Sequence, residues 1–446
     1  MARNLVAFGQ FAINPGEPVT ASTAPLWTLI VAAGYALGLP PLLWTSLIGL
    51  TCLVFVAWET WRLGKALLPE SSAVPQLAGL LVLVEWHLVW AAFSGMETLL
   101  FTALCLAALQ QAAQNGLRRP WLLGTLVGLA TLTRPEGLIL GLVLGCWSLF
   151  TAGGNRWRAF AVFMVTLAAV LLPAALLNLA LSGRPLPATF YAKNAAYATE
   201  PGLLPFAQYL GGAALALARG PLFLVYPGLL YGLLRRFPNM RSIWPLPLLW
   251  AALMLLAYMA WLPALYHHGR YLFPLIPLIG LYGLEGSRLL LSKLPYRLLP
   301  RFAGMLLVVA VLASWARGAQ VYGQNVDTIT QQQVQAAFWI REHTPEDAVV
   351  ATHDIGALGY FSQRRLVDVA GLASPELVNS PKDVDRILEV LQDRHVSYLA
   401  LLPRWYPPLY DRLTRDFRIE LVWQGRGPNE TQGGDAAFEV VRLVPN

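Results

Sequence analysis

The stretch TLTRPEGLIL, residues 131–140, joins two apolar runs, 120–134 and 136–151, through little more than Arg134, Pro135 and Glu136. Proline cannot continue a helix, and it disfavours helical geometry at the residue before it. The pattern is therefore two helices meeting in a very tight hairpin that carries an arginine and a glutamate. Each run is shorter than the roughly 20 apolar residues that cross a bilayer. Helices this short persist in lipid where the bilayer thins, or where they end in a cavity lined by protein. The hairpin predicts a polytopic α-helical membrane protein with charged groups gathered at one rim.

The rest of the chain agrees. Of 446 residues, 56% are hydrophobic and 13% charged, which excludes an ordinary soluble protein. Further spans are expected near 41–61, 73–93, 97–114, 157–182, 220–234, 243–262, 271–292 and 299–317. Arg62/Lys65, Arg118/Arg119, Arg156/Arg158, Arg235/Arg236/Arg241 and Lys293/Arg297/Arg301 fall in every second connection. The positive-inside rule makes those connections cytoplasmic. Residues 1–40, 94–97, 134–136, 183–219, 263–270 and everything after 318 are then outside, and ten spans alternate without a parity error. Residues 25–38, PLWTLIVAAGYALG, are too short to cross and are expected in the outer interface, with Trp27 and Tyr35 at headgroup level.

Residues 1–319 hold 20 Lys and Arg against 8 Asp and Glu, whereas 320–446 hold 12 against 17. The basic excess serves topology and indicates no nucleic-acid partner. The shift near residue 319 marks a change of solvent. Three regions follow: an outer loop and interfacial helix over 1–40, a transmembrane helical domain over 41–319, and an extracytoplasmic α/β domain over 320–446. In the last, QQQVQAAFWIREH and VDRILEVLQDRH read as helices. DAVVAT, VSYLALL, RIELVWQ and AFEVVRLV read as strands. Asp354, between a strand and a short helix, suits an N-cap. Cys52, Cys105 and Cys146 lie in apolar runs far from any His or Cys and read as buried, inert thiols. The opening MARNLVAFGQFAINPGEP lacks the apolar core of a signal peptide.

Ionisable groups at the outer ends of spans are the informative ones, because both topology and desolvation disfavour them there. They are Glu97 in SGMETLL, Arg134 with Glu136, Arg184, Tyr191, Lys193 and Asn194 in SGRPLPATFYAKN, and His267, His268, Arg270 and Tyr271 in ALYHHGRYLFP. Glu17 in the NPGEP turn completes the set. Each has a plainer reading: a tied hairpin for Arg134 and Glu136, snorkelling for Lys193, packing for the histidines. Together they suit one chemistry. Cations at a membrane surface hold a phosphate whose lipid tail stays in the bilayer. A neighbouring acid takes a proton from an acceptor hydroxyl, or holds a divalent metal such as Mg²⁺ or Mn²⁺. The reaction such a set would serve is sugar transfer from a polyprenyl-phosphate donor to a glycan, lipid or protein acceptor. A lipid-linked solute transporter or flippase would show an inverted repeat and polar residues near mid-membrane; only Glu85 and His87, in LVEWHLVW, sit that deep. A non-catalytic protein that binds a lipid carrier is a third class.

The ordered segments RNL…NPGEPV…PLWTL, SGMETLLF, LATLTRPEGLIL, HHGRYLFPLIPL and VVATHDIGALGYFSQRRLVDVAGL resemble the bacterial GT-C membrane glycosyltransferases, with arabinofuranosyltransferase-like and mannosyltransferase-like members as the nearest branch. The resemblance spans nearly the whole chain. It implies a polyprenyl-phospho-sugar donor, an active site at the outer face of the plasma membrane and an extracytoplasmic C-terminal domain. It implies catalytic or metal-holding roles for Glu97, with Glu17 the nearest acid to an expected aspartate motif. It further implies donor-phosphate contact by Arg134, and phosphate or sugar contacts by Arg270, Tyr271 and Lys193. That aspartate motif follows a first span upstream of the segment matching ARNLVAFGQF. The first aspartate here is Asp327, so the expectation is a start codon placed too late, a gene fragment, or a diverged, inactive member.

Overall fold

A computed structural model describes residues 1–151, 155–197, 203–236, 245–296, 298–380, 382–425 and 437–444. Arg241 and Arg297, two of the basic residues used for topology, lie outside the described residues. The chain forms two compact units: Met1–Thr23, Ala175–Ala198 and Gln320–Asn446 make one, Ala24–Ala174 and Thr199–Ala319 the other.

The first unit is built on a five-stranded mixed sheet. Its strands are β1 (Val349–Thr352), β2 (Arg365–Asp368), β3 (Tyr398–Leu401), β4 (Arg418–Gln424) and β5 (Glu439–Val444), in the order β2-β1-β3-β5-β4. β1 pairs in parallel with β2 and β3, and β5 pairs antiparallel with β3 and β4. Side chains alternate across a strand, so Val349, Ala351, Leu399, Leu401, Val441 and Leu443 face one core, with Ile387, Leu391, Leu409 and Leu413 from the helices Val384–Asp393 and Pro407–Asp416. Val350, Tyr398, Ala400 and Val440 face the opposite core, with Ala336 and Ile340 from the helix Gln335–His343. The sheet is covered on both faces. β2, RLVD, carries only two apolar residues and gives no strand signal of its own. Asp354 is not an N-cap, since Gly356 occupies that position before the helix Ala357–Phe361. Its Oδ1 instead accepts the Gly356 N–H at 3.0 Å, closing the turn ahead of the helix.

The second unit is helical. Helices stand at each expected span: Pro41–Leu67, Ala73–Val84 with Trp86–Phe93, Thr98–Asn115, Pro120–Thr133, Gly137–Thr151, Arg156–Ser182, Tyr226–Arg236, Leu246–Trp261, Ile276–Leu291 and Leu299–Ile329. Among the described residues, three helical runs are long and apolar enough to cross a membrane, or up to five when each bent pair is one span. The bent pairs are Ala73–Val84 with Trp86–Phe93, at 49°, and Pro205–Ala218 with Pro221–Arg235, at 108°. Pro120–Thr133, Gly137–Phe150 and Leu246–Trp261 are apolar but shorter. The gap from the ten expected spans is one of helix length; the helices are where the hydrophobic runs place them. Cys52 and Cys105 are buried, while Cys146 is exposed on its apolar helix. Trp27 also departs from expectation: it is buried, and its indole N–H donates to the Gly95 carbonyl at 3.0 Å.

Glu85 makes the bend in the first pair. Its backbone is extended, and Oε2 caps the next helix by accepting from the N–H groups of His87 (2.9 Å) and Leu88 (3.2 Å). Oε1 meets His87 Nδ1 at 2.7 Å, and His87 Nε2 meets the Ala216 carbonyl at 3.1 Å. Both ring nitrogens therefore face acceptors, and both carboxyl oxygens are hydrogen-bonded. That accounts for two polar side chains with no exposure at all.

Tyr226–Arg236 and Ile276–Leu291 touch backbone to backbone through small residues, the usual solution between helices in lipid. A Cβ on Gly286 would collide with the carbonyl oxygen of Gly228, and one on Gly283 would fall 2.9 Å from Val225 Cβ. Backbone cannot step aside as a side chain can. Gly286→Leu is therefore expected to destabilise the bundle by about 1–3 kcal/mol or more, the scale of overpacking, measured as a lowered thermal midpoint in detergent; an unchanged midpoint would refute the contact.

Candidate functional site

Pro135 ends the helix Pro120–Thr133, and Arg134 just before it is extended (φ −156°, ψ 130°), as a residue preceding proline prefers. The Gly137 N–H returns to the Arg134 carbonyl at 2.9 Å, and a Cβ at Gly137 would lie 2.6 Å from Thr131 N. Only glycine fits this turn. It throws the Arg134 side chain into the protein, where the residue is 3% exposed.

A guanidinium buried this far needs counter-charges. Glu136 Oε2 lies 3.6 Å from Arg134 Nε, and Glu97 Oε1 lies 3.9 Å from Nη1. Nη2 donates to the Tyr258 hydroxyl at 3.0 Å, which itself donates to Glu136 Oε1 at 2.8 Å. Glu97 is the N-cap of Thr98–Asn115, yet its side chain makes no capping bond; the carboxylate turns to Arg134. Both acids keep about a fifth of their side-chain surface open. Arg270 joins through Tyr271, whose ring lies 4.6 Å from the Arg134 guanidinium carbon and 5.2 Å from that of Arg270. Tyr266 and Tyr271 share a hydroxyl hydrogen bond of 2.8 Å, and Arg270 Nη1 is directed at the Met96 sulfur.

His267 and His268 both adopt left-handed backbone (φ 51° and 62°). Their rings pack on Trp90 and Trp86, at centroid distances of 6.5 and 5.4 Å. Among the described residues no group of three His, Cys, Asp or Glu side chains is placed to hold a metal ion. Glu97 and Glu136 both answer Arg134. The described acids do not form a metal site by themselves.

Two features of this cluster bear on chemistry. It is electrically balanced, with Arg134 and Arg270 against Glu97 and Glu136. It is also incompletely bonded: among the described residues, Arg134 Nη1 and Arg270 Nε are buried donors without a hydrogen-bond acceptor. Open, charged N–H groups of this kind suit an oxyanion. Of the residues expected from sequence, Glu97, Arg134, Glu136, Arg270 and Tyr271 come together, with the two histidines against neighbouring tryptophans. Tyr258 and Tyr266 were missed; each is one phenol in an apolar or aromatic run.

Tyr191, Lys193, Asn194 and Glu17 belong to the sheet unit. The first three lie on the helix Ala188–Tyr197, where Tyr191 packs with Leu372 against Ala188, Ala192 and Val378. Lys193 is half-buried and Asn194 exposed. Glu17 pairs with Arg365 and, at 3.3 Å, with Arg394, while Arg394 also pairs with Glu376. Asn14 fastens the same turn to β2, exchanging two 2.9 Å hydrogen bonds with Leu366 and donating to Glu17 at 2.8 Å. The opening turn is thereby tied to the sheet edge.

The structure is similar along its whole length to ArnT from Cupriavidus metallidurans. In the apo state the TM-score is 0.62 at 15% identity, covering 99% of this chain and 91% of that one. For ArnT bound to undecaprenyl phosphate the TM-score is 0.64 at 15% identity, covering 99% and 92%. The chain has the GT-C fold. It is thus a multi-pass helical membrane protein with a small C-terminal sheet. The arabinofuranosyltransferase AftD from Mycobacteria aligns at a TM-score of 0.47 and 16% identity, over 94% of this chain and 35% of that one. Residues 324–440 match a family model described as a domain of unknown function (DUF8728). None of the curated proteins matches the chain in sequence.

The ties of the opening turn make a pH prediction. Burial raises the Glu17 carboxyl, but hydrogen bonds from Asn14 and Arg365 and the charges of Arg365 and Arg394 outweigh it, leaving it below the ordinary 4.5. Glu376 follows the same course through Arg394. Groups with depressed values stabilise the fold above their unfolded value and lose that contribution as the pH falls through the folded one. Thermal stability should therefore drop between about pH 5 and about pH 3, and drop less steeply when Glu17→Gln and Glu376→Gln are combined. Identical acid profiles would exclude the network as a source.

Proposed function

We propose that this chain is a glycosyltransferase that moves a sugar from a polyprenyl-phosphate donor to a cell-envelope glycan, lipid or protein acceptor at the outer face of the plasma membrane. The observation that carries the reading is the pair of buried, unfilled guanidinium donors, Arg134 Nη1 and Arg270 Nε, beside two partly open carboxylates. Support comes from the shared fold, since ArnT binds undecaprenyl phosphate.

The residues divide the work. The donor phosphate accepts hydrogen bonds from Arg134 and Arg270. The acceptor hydroxyl attacks the anomeric carbon; the carbon–oxygen bond to phosphate breaks, and its electron pair leaves on the phosphate oxygen between the arginines. The hydroxyl proton passes to Glu97. Glu136 and Tyr258 hold Arg134 in place, and Tyr271 spaces the two guanidinium groups. His267 and His268 wall the sugar with Trp86 and Trp90.

Reconstituted protein supplied with labelled polyprenyl-phosphate sugar and acceptor is expected to yield a new glycoside, and Arg134→Ala and Glu97→Gln should each reduce its formation by at least about 100-fold. Near-normal turnover in both variants would remove the cluster from the mechanism. Label that crosses the bilayer still attached to its lipid would identify a flippase instead.

A further inference from the structure

A hollow of about 340 Å³ opens between Pro41–Leu67 and Thr98–Asn115. Trp58, Trp61, Arg62, Lys65, Gln110 and Gln114 line it. Glu97 and Gln114 stand at the two ends of one helix, about 25 Å apart at 1.5 Å per residue, so this hollow is remote from Arg134. It lies at the end that the basic connections mark as cytoplasmic.

Its composition is that of a membrane interface with a surplus of positive charge. Arg62 lies over the Trp58 ring at 4.9 Å, and Lys65 over Trp61 at 4.7 Å. Arg62 is partly engaged, with Glu59 at 3.0 Å and Gln114 at 3.2 Å. Lys65 is exposed, and among the described residues no carboxylate lies within ion-pair distance of it. Exposed Arg118 and Arg119 follow directly after Thr98–Asn115. Gln110 donates to Gln114 at 2.5 Å, which adds amide groups to the lining. Below Trp58, itself 46% exposed, the residues Val54, Leu50 and Leu47 are similarly exposed at helical spacing. They form an apolar track leading away from the cations.

We propose that this hollow binds the headgroup of an anionic phospholipid of the facing leaflet, such as phosphatidylglycerol. The phosphate sits on Lys65 and Arg62, the glycerol hydroxyls meet the glutamine amides, and an acyl chain follows Trp58, Val54 and Leu50. Paired cations and indoles at headgroup depth are the physical requirements for such a lipid. The apolar track favours a lipid over free phosphate.

The test is native mass spectrometry of the full chain in detergent, titrated with dioleoylphosphatidylglycerol or dioleoylphosphatidylcholine. One retained phosphatidylglycerol, preferred over phosphatidylcholine, is expected. Lys65→Gln, an exposed position where folding is not at stake, should weaken that adduct about fivefold, the worth of one surface cation. Trp58→Ala should weaken it as well. Equal retention of both lipids, or an unchanged preference in Lys65→Gln, would overturn the proposal. So would displacement of the lipid by millimolar inorganic phosphate, which would make this a free-anion site.

Discussion

A guanidinium held at 3% exposure inside an apolar bundle is the constraint around which the membrane unit is organised. Arg134 could not remain there alone: an uncompensated buried charge costs several kcal/mol. Its compensation comes from distant sequence. Glu136 follows it on the turn, Glu97 begins one helix, Tyr258 ends another, and Tyr271 lies on the 3₁₀ turn Arg270–Leu275. Each contributor stands at the end of a helix. The shortness of Pro120–Thr133 and Leu246–Trp261 has the same cause, since these helices stop at a polar cluster lined by protein, where backbone groups find partners before the chain reaches bulk water.

Comparison of two buried acid–base groupings shows why one is a candidate site and the other is not. Glu85 and His87 are closed: each side-chain polar atom has a partner, the carboxylate caps a helix start, and nothing can be added without breaking a bond. The Arg134 cluster balances its charge but leaves donors open. A buried donor without an acceptor is a standing penalty of about 1–3 kcal/mol. A bound oxyanion would relieve that penalty, and part of the cost of assembling the cluster would return on binding. Depth in the membrane made Glu85 and His87 resemble a transport path in sequence; bond counting assigns them to architecture.

The helix positions were readable because apolar runs and basic connections alternate along the chain. Glu97, Arg134, Glu136 and Arg270 were readable for the opposite reason, being charges that interrupt those runs. What escaped depended on contacts between remote residues. Tyr258 is one phenol among aliphatic neighbours until the fold brings it to Arg134, 124 residues away. Tyr191 rests on Leu372 and Val378, a contact within the sheet unit that no local pattern could announce. β2 borrows its strand character from β1, and Trp27 turns inward because the Gly95 carbonyl is there to receive it.

The placement of Arg270 extends the same dependence to strain. His267, His268 and Gly269 are three consecutive left-handed residues, and the two that are not glycine cost roughly 1–3 kcal/mol each. Both rings pack on Trp86 and Trp90, which belong to the short helix that Glu85 caps. Aromatic packing contributes about 0.5–1.5 kcal/mol per pair, so these contacts offset part of that cost. The path from Glu85 to Arg270 is therefore mechanical: the bend aims the tryptophans, the tryptophans hold the histidines in an unfavourable backbone, and that backbone delivers the arginine beside Tyr271.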